Sequence, residues 1–176
     1  MSDPRKDPLL RFTRIALWIT LVISIIAAVG LAIAIPGIWL FGDTILAKAA
    51  MDGVKITGPE SLAAISAIMF GGLIIVGMAI QFLRKLIALI DSVGAGSPFI
   101  PENAARLRYM GWTVLAMQSM AVFALPAVLW LKHVLPDQHI VFSFSFEGLI
   151  TALLLFVLAR VFEHGMRLEQ DVEGIV

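Results

Sequence analysis

Four long stretches, roughly residues 15–35, 62–82, 110–131 and 146–162, run almost without a charge, and nothing else in the chain constrains its fold as tightly. The first three are about 21 or 22 residues long, which at about 1.5 Å per residue matches a hydrocarbon layer about 30 Å thick. The last, at about 17, is shorter than that layer asks for. Backbone exposed to lipid must satisfy its own N–H and C=O groups, and these uniformly apolar runs lack the alternation of barrel strands, so helices are predicted. Composition agrees. A chain of 176 residues that is 60% hydrophobic and 15% charged, against about 25% charged for a soluble domain, has too little polar surface to cover a globule. The expected fold is an all-α membrane protein, a single domain of four transmembrane helices.

Orientation follows from Lys and Arg. Arg5, Lys6, Arg11 and Arg14 precede the first stretch, Arg84, Lys85, Arg106 and Arg108 lie between the second and third, and Arg160 and Arg167 close the last. Only Lys48, Lys55 and Lys132 fall on the other side. The positive-inside rule then puts both termini and the central loop of this multi-pass chain in the cytoplasm. Trp18, Tyr109 and Trp112 near inner ends, with Trp39 and Trp130 near outer ends, suit the headgroup layers. A removable signal peptide is the competing reading of the first stretch, whose apolar region is longer than such peptides use.

The 13 basic and 13 acidic residues cancel, so the chain presents no overall basic surface for direct binding of nucleic acid. There is no Cys, hence no thiol nucleophile, thiolate metal site or disulfide. His133, His139 and His164 share no helix-face spacing that suggests a metal. No catalytic, metal-binding or cofactor-binding residue is assigned, and the chain is expected not to be an enzyme.

On the outer side, Asp43 can cap a short helix through about Met51, Asp52-Gly53 is a turn signal, and Gly58-Pro59 opens the second span. Residues 140–146 alternate as Phe142-Ser143-Phe144-Ser145-Phe146, the period of a half-buried strand. The expectation is a small extracytoplasmic cap in which this strand can pair with Val54-Lys55-Ile56 as a short two-stranded sheet. An irregular segment dipping its phenylalanines into the interface fits the same residues.

Inside the apolar stretches, Ser24, the Gly71-Gly72 pair, Gln118-Ser119 and Thr151 lie near one level. Ala67-x-x-x-Gly71 has the spacing that lets helices approach closely. The polar residues Ser24, Gln118, Ser119 and Thr151 either hydrogen-bond between helices or line a pocket for a lipid or small solute. Pro126 is expected to kink the third span. No Asp, Glu, Lys, Arg or His lies near the centre of any stretch, which argues against ion- or proton-coupled transport. Arg160, near the end of its span, can snorkel to headgroups one turn from Glu163.

The inner face is busier. Leu83, Leu86, Ile87, Ile90 and Val93 continue an apolar stripe past Phe82 until Gly94 and Gly96 end it, so a helix is predicted to protrude into a loop spanning 83–109. Pro101 and Glu102 look like the first turn of the next helix. In the tail, 163–176, Val161, Gly165, Leu168, Val172 and Ile175 recur at helical steps beside Glu169, Asp171 and Glu173. An acidic amphipathic tail thus accompanies a basic amphipathic loop.

Gly96-Ser97-Pro98-Phe99 with Asn103 and Leu107, then Val157-Leu158-Ala159 leading to Phe162, Gly165, Leu168 and an acidic end, resembles the bacterial membrane family catalogued as domain of unknown function 2975. Ile100 departs from that pattern, standing where a polar helix cap is expected. The resemblance implies a four-span inner-membrane protein without established catalytic residues, often encoded beside a small Cro/CI-like helix-turn-helix regulator. The functional expectation is therefore a non-enzymatic regulator or sensor that acts through its loop and tail on such a soluble partner. The residues expected to meet it are Arg84, Lys85, Pro98, Phe99, Asn103, Arg106 and Arg108 of the loop and Leu168, Asp171 and Glu173 of the tail. Binding of loop to tail explains the same pattern without a partner. Membrane lipids are expected around the spans, and a homo-oligomer is compatible with the chain. A small transport or lipid-binding protein using the central polar level is the alternative.

Overall fold

The computed structural model describes residues 8–51, 58–134 and 146–173. Helices account for nearly all of them: α1 (Pro8–Leu40), α2 (Gly42–Met51), α3 (Gly58–Gly94), α4 (Pro101–Val134) and α5 (Phe146–Glu173).

This corrects the expected fold in two respects. Among the described residues, two helices, α1 and α3, are long and apolar enough to cross a membrane, not four. The polar pair Gln118-Ser119 and Pro126 interrupt the apolar run of α4, and Glu147 with Arg160 and Glu163 bracket a short run in α5. The predicted sheet cap does not stand either, because the described residues contain no strand. Phe146, assigned to the end of a strand, opens α5 with Glu147 in its first turn, where a carboxylate favours the helix dipole. The rest of that alternating segment and Val54-Lys55-Ile56 lie outside the described residues.

Helix boundaries follow local chemistry. Gly58, at φ 79°, takes a left-handed conformation and Pro59 fills the first turn of α3. Asp43 stands inside the first turn of α2 rather than as its cap. α3 does continue past Phe82, to Gly94. It ends in a Schellman motif, with Ser97 N–H donating to Ser92 O at 3.1 Å and Gly96 N–H to Val93 O at 3.0 Å. That motif needs the left-handed residue that Gly96 supplies at φ 83°. α4 then starts at Pro101 with Glu102 beside it, and Asn103 N–H donates to Ile100 O at 3.0 Å.

The chain divides into two compact units, one drawing on Met1–Ser24, Met78–Gln118 and Ser145–Val176, the other on Ile25–Gly77 and Ser119–Phe144. In the first, Leu89, Leu107 and Ala159 form a buried cluster from α3, α4 and α5, flanked by Leu86, Leu155 and Phe162. On α4 the buried residues Asn103, Ala104, Leu107, Met110 and Gly111 recur at i, i+1, i+4, i+7 and i+8, one face of a helix. Gly111 brings α4 against Phe156 of α5, whose ring lies edge-on to Trp112 with centroids 5.5 Å apart. In the second unit α2 touches α3 where Gly42 meets Leu62, both buried. α1 contrasts with this packing. Of its 33 residues Leu21 alone is buried, while Phe12, Trp18, Ile19, Ile26 and Ile33 are exposed. An apolar rod that finds so little protein to cover it suits lipid better than water.

Candidate functional site

The loop between α3 and α4 is held by side chains of the two helices it joins. Asn103, wholly buried, donates its amide to Ser92 Oγ at 2.6 Å and to Pro98 O at 2.8 Å. Ser92 in turn donates to Leu89 O at 2.7 Å. Arg106 Nη1 donates to Asn103 Oδ1 at 2.7 Å and to Ala88 O at 3.1 Å. Both faces of the Asn103 amide are thereby used, and a guanidinium is brought near the carbonyl end of α3, where positive charge is favoured. Asn103 and Arg106, expected to meet a partner, hold the hairpin together.

Beyond the hairpin, the loop lies on α5. The Phe99 ring packs on Phe162 with centroids 5.5 Å apart, tilted by 57°. It also lies so close to Gly165 that a Cβ there would fall 2.6 Å from Phe99 Cε1. Arg108 Nη1 donates to Glu163 Oε1 at 3.2 Å, and Arg160 approaches the other oxygen of that carboxylate at 3.6 Å. The expected attraction between basic loop and tail thus exists, through Glu163 at the start of the tail. Lys85 sits over the Tyr109 ring, 5.4 Å from its centroid, a cation–π arrangement linking α3 to α4. On the neighbouring face Arg14 of α1 pairs with Asp91 of α3 at 3.1 Å.

Of the other residues assigned to a partner, Arg84, Phe99 and Leu168 are exposed and Pro98 is half-buried. Asp171 and Glu173 stand on the last turn of α5, and their side chains lie outside the described residues. Phe99, Val157, Arg160, Val161, His164, Gly165 and Leu168 line an open hollow of about 570 Å³ on α5. Ser92, Glu163 and Gly165 were not assigned to this site in advance. Two of them carried a sequence signal, Gly165 as the small residue within an otherwise aliphatic tail stripe and Glu163 as the carboxylate one turn from Arg160.

The polar residues of the apolar stretches do not share one compact unit, since Ser119 falls in the second while Ser24, Gln118 and Thr151 fall in the first. Ser24 donates to Thr20 O at 2.8 Å and Thr151 to Glu147 O at 2.7 Å, each within its own helix. Gln118 packs its amide against Gly148 of α5, where a Cβ would overlap it. Among the described residues no three of His, Cys, Asp and Glu gather as metal ligands.

No protein-family model, curated protein or solved structure gives a match to this chain.

Proposed function

We propose that the chain is a non-enzymatic regulator or sensor of a bacterial inner membrane, anchored by α1 and α3, that acts on a soluble cytoplasmic partner through the α3–α4 hairpin and the end of α5. One observation carries this reading. Phe99 rests on Phe162 and Gly165 while Arg108 holds Glu163, so hairpin and tail form one continuous surface. A partner touching either element therefore acts on both. Arg84, Phe99, Arg108 and Leu168 are its exposed contacts, with Lys85 and Pro98 beside Arg84 and Phe99 along the chain.

The sidedness rests on charge. Arg11 and Arg14 precede the apolar body of α1, and Arg84, Lys85, Arg106 and Arg108 follow that of α3, so both basic clusters suit the cytoplasmic side. The Arg14–Asp91 pair is consistent with this, since it joins the two clusters. The choice of a Cro/CI-like helix-turn-helix protein as the partner rests on the sequence resemblance to domain of unknown function 2975 alone.

A pull-down tests the reading. Full-length protein is expected to recover a co-expressed Cro/CI-like helix-turn-helix regulator, whereas a chain ending at Gly165, or one carrying Phe99→Ala, is expected to recover several-fold less. Equal recovery by all three would leave hairpin and tail bound only to each other.

A further inference from the structure

The hollow on α5 adjoins an exposed apolar strip, which reaches it at Val157. Leu149, Leu153 and Val157 follow one another at four-residue steps and are all exposed, so this side of the helix offers an unbroken apolar strip. Past Val157 cationic and polar groups join it, because the next turns present Arg160 and His164 beside Val161. From Leu149 to Arg160 the helix rises about 16 Å, close to one leaflet of a hydrocarbon core about 30 Å thick.

Charge at that end is not balanced. Glu163 lies between Arg108 at 3.2 Å and Arg160 at 3.6 Å, so one carboxylate faces two guanidiniums and the group keeps a net positive charge. The Arg160 side chain is 84% exposed, and its 3.6 Å approach to Glu163 is longer than a hydrogen bond. Most of its five N–H donors remain directed outward. His164, one turn further and also exposed, adds a ring N–H on the same wall.

An apolar strip of leaflet length ending in a cationic group fits an amphiphile. The geometry points to a binding site on α5 for one anionic phospholipid, whose acyl chain lies along Leu149, Leu153 and Val157 and whose phosphate is held by Arg160 and His164. A soluble anion would leave the strip uncovered. The site asks that α5 lie against one leaflet, not that it cross the bilayer, and its lipid contacts differ from Phe99 and Leu168, the residues of the same hollow given to the proposed partner.

Native mass spectrometry of the full chain in non-ionic detergent, titrated with phosphatidylglycerol or phosphatidylcholine, tests the site. Phosphatidylglycerol is expected to bind as a single retained adduct and phosphatidylcholine about five-fold more weakly, the discrimination that one basic residue near a lipid phosphate supplies. Arg160→Gln and, separately, His164→Gln are expected to weaken phosphatidylglycerol binding by a factor approaching five, with helicity by circular dichroism unchanged. Arg160→Lys is expected to keep most of it, and Arg167→Gln, outside the hollow, all of it. Equal binding of the two lipids, or equal loss in Arg167→Gln, would overturn the site. So would displacement by glycerol phosphate alone, which assigns the charge to a free anion. A wild-type dimer that Val157→Asp dissociates, with lipid binding unaffected, would instead give the strip to a second copy of the chain.

Discussion

Asn103, at the third position of α4, donates its amide to Ser92 Oγ on the last turns of α3, 2.6 Å away. That contact closes the hairpin, because the same amide also reaches Pro98 O and its oxygen receives Arg106. A buried amide used on both faces is costly to delete, since each partner is left facing protein rather than water.

Asn103→Ala is therefore expected to destabilise the first unit by about 1–3 kcal/mol. In a thermal unfolding experiment in detergent this corresponds to a fall of several degrees. A change within experimental error would mean that water replaces the amide and that the network does not hold the loop.

Gly165 and Phe99 should behave as a coupled pair. A Cβ at Gly165 would lie 2.6 and 2.7 Å from ring carbons of Phe99, so Gly165→Ala must displace the ring. The expected cost is about 1–3 kcal/mol, as for overpacking. In a Phe99→Ala background the same substitution should cost less than half as much, and a double-mutant cycle reads the difference directly. Additive effects would mean that ring and glycine are not in contact.

The Arg108–Glu163 pair should contribute far less than its central position suggests. The side chains are 58% and 27% exposed, so solvent screens the interaction and its coupling energy is expected below about 1 kcal/mol. Raising salt from about 0.05 to 0.5 M should remove most of it. Unfolding midpoints of Arg108→Gln, Glu163→Gln and the double variant, taken at both salt concentrations, check this.

Membrane insertion can be tested at Ile26. This exposed residue lies within the apolar body of α1, where an Arg costs about 2.5–3.5 kcal/mol of insertion free energy. Ile26→Arg is expected to lower the fraction of protein resisting alkaline carbonate extraction. An unchanged fraction would mean that α1 does not contact lipid there.

Sidedness is open to a clean measurement because the chain has no cysteine. A single Ser97→Cys in the exposed loop should react with a membrane-impermeant maleimide only after the inner membrane is opened. Labelling of intact spheroplasts would place the hairpin on the outer side and rule out a cytosolic partner there.

Much of the helical outline was legible along the chain, for reasons that are local. Gly96 supplies the left-handed turn that ends α3, and Pro101 with Glu102 begins α4. The contacts of single residues were less legible. Asn103 and Arg106, assigned to a partner from the resemblance and the basic loop, turn inward once α3 and α4 lie side by side. Lys85 spends its charge over Tyr109 for the same reason. The alternating phenylalanines suggested a strand, but at Phe146 the apolar body of α5 prevails over that short alternation.

By itself the sequence determined that α1 and α3 are apolar rods of bilayer length and where the protruding helix stops, since length, periodicity and glycine conformation are properties of neighbours along the chain. Which residues close the hairpin, that Glu163 stands between Arg108 and Arg160, and that Phe99 covers Gly165 were decided only by the tertiary structure. These contacts join positions up to 66 residues apart, Phe99 and Gly165 being the widest pair. Their geometry depends on how three helices pack, which no local pattern encodes.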